Sequence, residues 1–163
     1  MARGGATDRA IGFNHPSKDM YSYKYPHPAV TADCIVFGRK EGEAAVLLVQ
    51  RKHEPCRGQW AFPGGFMNID EPADAAARRE LAEETGLRVD NVRQVGAYTA
   101  VNRDPRERVI TIAYCAFVEG TPAVAGADDA ERAVWFKLSE LPPLAFDHAE
   151  ILRDAVARYG TEA

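Results

Sequence analysis

The chain lacks most of what would mark a secreted, membrane-bound or polyanion-coating protein. Cysteine is scarce: Cys34, Cys56 and Cys115 are the only three, and they form neither an even disulfide set nor a paired metal-ligand spacing. Two of them lie in apolar strand-like runs, where a thiol behaves as a small hydrophobe. A reducing, cytoplasmic setting is therefore expected. No uninterrupted apolar run approaches the roughly 20 residues that span a bilayer, and residues 1–8 lack the apolar core of a secretory signal, so no membrane partner is expected. Net charge is slight, −4 with a pI near 5.6. It offers no general attraction to polyanions, which argues against bulk nucleic-acid binding but leaves small anionic substrates open wherever cations are local. Repeats and low-complexity tracts are missing too.

What is present is a globular composition, 46% hydrophobic and 27% charged, in a length that suits one core. We expect one domain over residues 21–163 behind a flexible segment, residues 1–20. Residues 29–37 (AVTADCIVF) and 45–50 (AVLLVQ) read as strands joined by a polar, glycine-containing turn, hence a hairpin. Residues 21–28 (YSYKYPHP) suit an extended edge or arm. Their aromatics are expected to supply packing area, the other readings being stacking on a base or pairing with a second copy into a homodimer. Pro63-Gly64-Gly65 signals a turn. The alanine-rich stretch 72–85 then favours a helix, with Pro72 at its first position and Gly86 just past its end. Further strands are expected at about 92–101, 109–118 and 133–138, the second of them apolar on both faces. Asp147 with Glu150 reads as a capping box for a last helix reaching about Tyr159. The sum is an α/β fold, an α/β/α sandwich with a mixed sheet between helices.

The chemistry concentrates in residues 65–87, GFMNIDEPADAAARRELAEETGL. Glu80, Glu83 and Glu84 stand at i, i+3 and i+4, so a helix gathers them on one side, where three like charges repel. Arg79 stands four residues before Glu83, well placed to orient it. Such a cluster is relieved by hard divalent cations with oxygen ligands, Mg²⁺ or Mn²⁺. Gly64 and Gly65 allow a close backbone approach, bringing a carbonyl towards the same metal.

The stretch matches the Nudix box, G-x5-E-x7-R-E-U-x-E-E-x-G-U with U aliphatic, at every fixed position: Gly65, Glu71, Arg79, Glu80, Leu81, Glu83, Glu84, Gly86 and Leu87. At ordinary residue frequencies the invariant letters alone coincide on the order of once in a billion starting points. The chain thus resembles the Nudix hydrolases, and the flanking strands and last helix resemble their sandwich. The resemblance implies metal-dependent hydrolysis of the pyrophosphate bond in a nucleoside diphosphate linked to another group. Glu80, Glu83, Glu84 and the Gly64 carbonyl would hold the metal, Arg79 would hold a glutamate in place, and Glu71 reads as a helix-terminal, ion-pairing residue. The general base is either a box glutamate or a downstream acid. Asp129 is preferred over Asp128, with His148 a third candidate, although acids in a loop and a histidine in a helix's first turn are commonly just solvated or structural.

Arg51, Lys52, His53, Arg57, Arg103, Arg106 and Arg108 flank the expected active loop; of these Arg51, Arg57, Arg103 and Arg106 are the expected substrate contacts. Residues 102–114 and 141–152 resemble the ADP-ribose branch of the family, which implies ADP-ribose plus water giving AMP and ribose 5-phosphate. An 8-oxo-dGTP hydrolase is the enzymatic alternative. A non-catalytic nucleotide-sensing module is the alternative of another class; it would be expected to carry an attached DNA-binding module, and about four residues follow Tyr159.

Overall fold

The structure, a computed structural model, describes residues 21–160; the expected flexible segment 1–20 lies outside the described residues. Strand β1 (Ala29–Lys40) is the spine of a seven-stranded sheet, and its alternating side chains serve two different layers. Ala32, Cys34 and Val36 face helix α1 (Ala73–Thr85), where Ala76, Ala77 and Leu81 are fully buried. Ile35 and Phe37 face helix α2 (His148–Tyr159), packing near Ile151, Leu152 and Ala155. Alanines on α1 let that helix sit close to the sheet, while each large side chain buried under α2 contributes about 1.5–3 kcal/mol. The mixed sheet between helices is the expected α/β/α sandwich.

The hairpin expected at the start is present: β1 runs antiparallel to β2 (Glu43–Arg51). On its other side β1 runs parallel to β6 (Val109–Phe117), and β5 (Arg93–Tyr98) closes that edge antiparallel to β6. Strand β7 (Ala130–Lys137) pairs with β2. Two short strands were not expected. Residues Trp60–Ala61 form β3 against β2, and Gly64–Phe66 form β4 against β1, so the segment read as a turn is an extended strand with Gly64 opposite Asp33. Neither glycine adopts a positive φ. They are there because backbone and carboxylates come close: a Cβ on Gly65 would lie 2.6–2.8 Å from the Glu80 carboxylate, and one on Gly64 would strike Asp33.

Other boundaries shift by a few residues. Pro72 is the residue before α1, extended at ψ 158, and not its first helical residue; Gly86 closes the helix as expected, at φ 75 with its N–H on the Ala82 carbonyl. Strand β7 begins three residues earlier than expected, which places Asp129 at its threshold. The expected capping box on α2 does not form. Asp147 precedes the helix but makes no side-chain cap, because Arg103 grips both its carboxylate oxygens at 2.8 and 2.7 Å. The aromatic arm also departs from expectation: Tyr21, Tyr23 and Tyr25 stand at least half exposed, with Tyr23 stacked on Tyr21 and His27, and supply no core packing.

Candidate active site

A cleft opens where the α2-facing row of the sheet turns polar. Along β1 that row reads Thr31, Asp33, Ile35, Phe37, and Thr111 of β6 lies beside Thr31. Apolar residues make core at one end; Thr31 and Asp33, both buried, line the cleft at the other, with Thr111 fully buried beside them. Gly64, Gly65, Phe66 and Glu84 form one wall. Arg51, Arg106, Phe146 and His148 also line the cleft, as do Lys52, His53 and Asp129.

The box helix is organised by Arg79. Its guanidinium takes Glu71 through two parallel hydrogen bonds at 3.0 and 2.5 Å, Glu80 at 2.6 Å, Glu83 at 3.0 Å and the Phe66 carbonyl at 3.1 Å. One cation thus gathers three carboxylates and ties α1 to β4. Glu71 behaves as the expected ion-pairing residue: Arg79 holds its carboxyl below the usual range, and it also accepts the Asn68 N–H at 2.8 Å. Arg79 therefore orients more than the Glu83 expected from spacing.

Glu84 is in a different position. It is buried, it accepts the Gly64 N–H at 3.1 Å, and no ion pair reaches it among the described residues. Burial, reinforced by the charge of Glu80, pushes its carboxyl well above the ordinary value. Burial also raises Glu80, more than Arg79 can lower it. Among the described residues no group of three His, Cys, Asp or Glu is assembled to hold a metal ion, and Arg79 is paired with Glu80 and Glu83. The donor set still fits a hard divalent cation: every candidate ligand is an oxygen, and two carboxylates are raised by burial in a way a cation would reverse.

The expected substrate contacts divide. Arg51 lies against the Phe146 ring at 4.9 Å, and burial and then the charge of Arg106 make its cation harder to hold. Arg106 is paired with Asp104 at 2.6 Å and sits over the Phe66 ring at 5.3 Å. Both face the cleft. Arg103 lines it too, but is committed to Asp147 and almost wholly buried. Arg57 is exposed and outside the lining, so its place does not match the expected contact. Arg108 holds the Thr99 and Ala100 carbonyls instead of a ligand.

Asp129 stands exposed at the rim, 3.8 Å from His53, on a loop that the Lys52 ammonium fastens through the Asp128 carbonyl at 2.7 Å. The same loop reaches the C-terminal end of α1, where Ala127 donates to the Glu84 carbonyl. His148 is placed differently from a base. Its Nδ1 accepts the Phe62 N–H at 3.1 Å, its ring stacks on Phe62, and burial lowers its pKa from 6.5. Accepting that N–H requires a neutral imidazole, which ties the residue after β3 to the start of α2.

That state has a pH signature. A histidine depressed in the fold contributes its full stability above about 6.5, where neither state is protonated, and loses it as pH falls and the unfolded chain takes up a proton the fold refuses. Asp33 and Asp147 nearby oppose the shift; Arg103 and Arg51 reinforce it. Urea unfolding of the wild type and of His148→Gln at pH 7.5, 6.5 and 5.5 is expected to show the wild-type advantage shrinking towards acid, by at most about 1.4 kcal/mol per pH unit. An advantage constant across that range would rule out the neutral buried state.

Sequence reading missed Asp33, Phe66 and Phe146. Asp33 had a signal, a carboxylate in an otherwise apolar strand. Phe146 had none; its ring reaches the cleft through a backbone φ of 52, a conformation bulky residues seldom adopt.

A two-helix sandwich with a box helix against a glycine strand is the Nudix architecture, and comparison agrees. A NUDIX domain model matches residues 27–157. The chain belongs to the Nudix family. An ADP-ribose pyrophosphatase of Methanocaldococcus jannaschii is 42% identical over 138 residues, 84% of this chain and 79% of that protein. The ADPR responsive transcriptional repressor NtrR of Acinetobacter baylyi is 33% identical over 138 residues, 82% of this chain but 55% of the repressor. The solved NUDIX domain of Shewanella oneidensis NrtR complexed with ADP ribose superposes with a TM-score of 0.77 at 29% identity, over 85% of this chain and 93% of that one.

Proposed function

We propose that the chain hydrolyses ADP-ribose with water to AMP and ribose 5-phosphate, using Mg²⁺ or Mn²⁺. The observation that carries this is the division of charge in the cleft: Arg51, Lys52 and Arg106 among its lining, with Asp33 and Glu84 buried beside Gly64. A diphosphate bound in this cleft would pair with the arginines and need a cation between itself and the carboxylates. The resemblance to an ADP-ribose pyrophosphatase along most of both chains supports the substrate, as does the ADP ribose bound to a structural relative.

In this reading Glu80, Glu83, Glu84 and the Gly64 carbonyl hold the metal, which when bound neutralises phosphate charge and lowers the pKa of water. Arg79 fixes the glutamates against β4 so that little reorganisation remains for the reaction. Arg51 and Arg106 bind phosphate oxygens, their guanidiniums already fixed against Phe146 and Phe66. Asp129, an exposed carboxylate lining the cleft opening, takes the proton of the attacking water.

A second reading, ligand sensing without turnover, is favoured by one observation: a transcriptional repressor is among the relatives. A substrate panel separates the two. ADP-ribose, NADH, diadenosine polyphosphates, UDP-glucose, dGTP and 8-oxo-dGTP are incubated with Mg²⁺ or Mn²⁺, with and without chelator, and products are identified. The expected result is metal-dependent conversion of ADP-ribose to AMP at a kcat/KM well above every other member. Preference for 8-oxo-dGTP would overturn the substrate, and binding of ADP-ribose without turnover would overturn the reaction.

A further inference from the structure

Two buried carboxylates among the described residues line the cleft from outside the box: Asp104, which is paired with Arg106, and Asp33, which no ion pair reaches. Strand β1 is otherwise apolar between Ala32 and Phe37, and a carboxylate on its inward row costs stability unless something compensates it. The Thr111 hydroxyl compensates one oxygen, donating to Oδ2 at 2.5 Å. The other oxygen, Oδ1, has no hydrogen-bond partner among the described residues, yet no fully buried side-chain oxygen or nitrogen among them goes unpaired. Oδ1 must therefore be the atom through which Asp33 reaches the cleft it lines.

Its position there is set by the sheet. Asp33 lies opposite Gly64 in the β1–β4 ladder, and Oδ1 occupies the space a Cβ on Gly64 would fill. The N–H of the same glycine is given to Glu84 Oε2 at 3.1 Å. Two buried carboxylates, one from β1 and one from α1, thus meet at a single glycine. No ion pair reaches either among the described residues, and the charge of Asp33 raises the cost of charge on Glu84 at the other side of the glycine. A cation in the cleft would lie within reach of both and offset their charge. Unlike Glu80 and Glu83, neither is held by Arg79, so this pair stands ready while the other two glutamates are engaged.

We propose that Asp33 is a further ligand of the divalent cation, supplied by β1 from outside the box, completing with Glu84 and the Gly64 carbonyl a half-site of oxygens on the cleft floor. The proposal rests on the metal reading above, and the test separates the two. Mn²⁺ is titrated into the nucleotide-free chain, with free ion followed by electron paramagnetic resonance, for the wild type, Asp33→Asn and Glu83→Gln. Asn keeps the size of Asp and an oxygen for Thr111, so the variant is expected to fold and to melt, without metal, near the wild type.

The expected result is an Mn²⁺ Kd weakened at least about tenfold in both variants. A wild-type Kd in Asp33→Asn alongside a weakened one in Glu83→Gln overturns the role of Asp33 and leaves the box intact. Equal, unmeasurable binding in all three overturns the metal reading, and this proposal with it. Should Asp33→Asn not fold, Mg²⁺ titration of the wild type with ¹³C detection of the Asp33 carboxyl replaces it. A saturable shift at the concentrations that occupy the site is expected; an unmoved resonance overturns the assignment.

Discussion

Replacing Glu83 by Gln is expected to lower kcat on ADP-ribose by about a thousandfold while leaving the fold intact. The two halves of that expectation have separate causes. Glu83 is the most exposed of the box acids, with its side chain 43% accessible, and among the described residues it pairs with Arg79 alone, at 3.0 Å. A Gln oxygen can accept the same hydrogen bond, and substitutions at such partly exposed positions ordinarily change stability by no more than about 0.5 kcal/mol. The catalytic cost comes from charge. In the proposed reaction the glutamates hold the ion that offsets charge building on the leaving phosphate, a contribution of several kcal/mol, and about 4 kcal/mol is a thousandfold in rate.

The outcome is read from kcat and KM measured separately at saturating Mg²⁺, with thermal melting as the control. Near wild-type turnover would remove Glu83 from the chemistry. A pure rise in KM would assign it to ground-state binding instead. Retained ADP-ribose affinity with lost turnover, in a chain that melts normally, is the pattern that fits a metal ligand.

How much of this was legible beforehand follows the range of the interactions. The box helix could be read because its start, stop and carboxylate spacing are local: Pro72, Gly86 and the i, i+3, i+4 glutamates lie within a few turns. The apolar faces of β1, β2 and β6 could be read for the same reason. What could not be read depends on partners distant in sequence. Gly64 and Gly65 look like a turn until Asp33 and Glu80, 31 and 15 residues away, are seen to occupy the space their Cβ atoms would need. The Asp147–Glu150 pair has the spacing of a capping box, but spacing cannot reveal an arginine 44 residues earlier that takes the carboxylate. Arginines show the same limit: composition marks Arg51, Arg57, Arg103 and Arg106 alike as phosphate contacts, and only the fold separates two on the cleft wall from one outside it and one locked in a buried pair.

That buried pair carries the largest expected effect on stability. Arg103 sits in the connection between β5 and β6 and Asp147 directly before α2, and their side chains are 4% and 16% accessible. The two parallel hydrogen bonds hold the start of α2, with Phe146 and His148 on either side of Asp147, against that connection. Arg103→Ala leaves the Asp147 carboxylate shielded from water and unpaired, a change that costs about 3 kcal/mol or more. For a chain of this length it should lower Tm by roughly 6–12 °C. Removing both partners for apolar residues of similar volume, Arg103→Met with Asp147→Leu, restores most of the loss, since no unpaired charge is left.

The double-mutant cycle is the deciding measurement, with an expected coupling of about 2–3 kcal/mol. Were Arg103 the substrate contact that its sequence position suggested, the single variants would be additive in stability. Asp147→Leu would then leave the arginine available to phosphate and KM unchanged or lower. A clamp predicts the opposite: Asp147→Leu buries an unpaired guanidinium, loosens the start of α2 and raises KM by displacing Phe146 from beside Arg51.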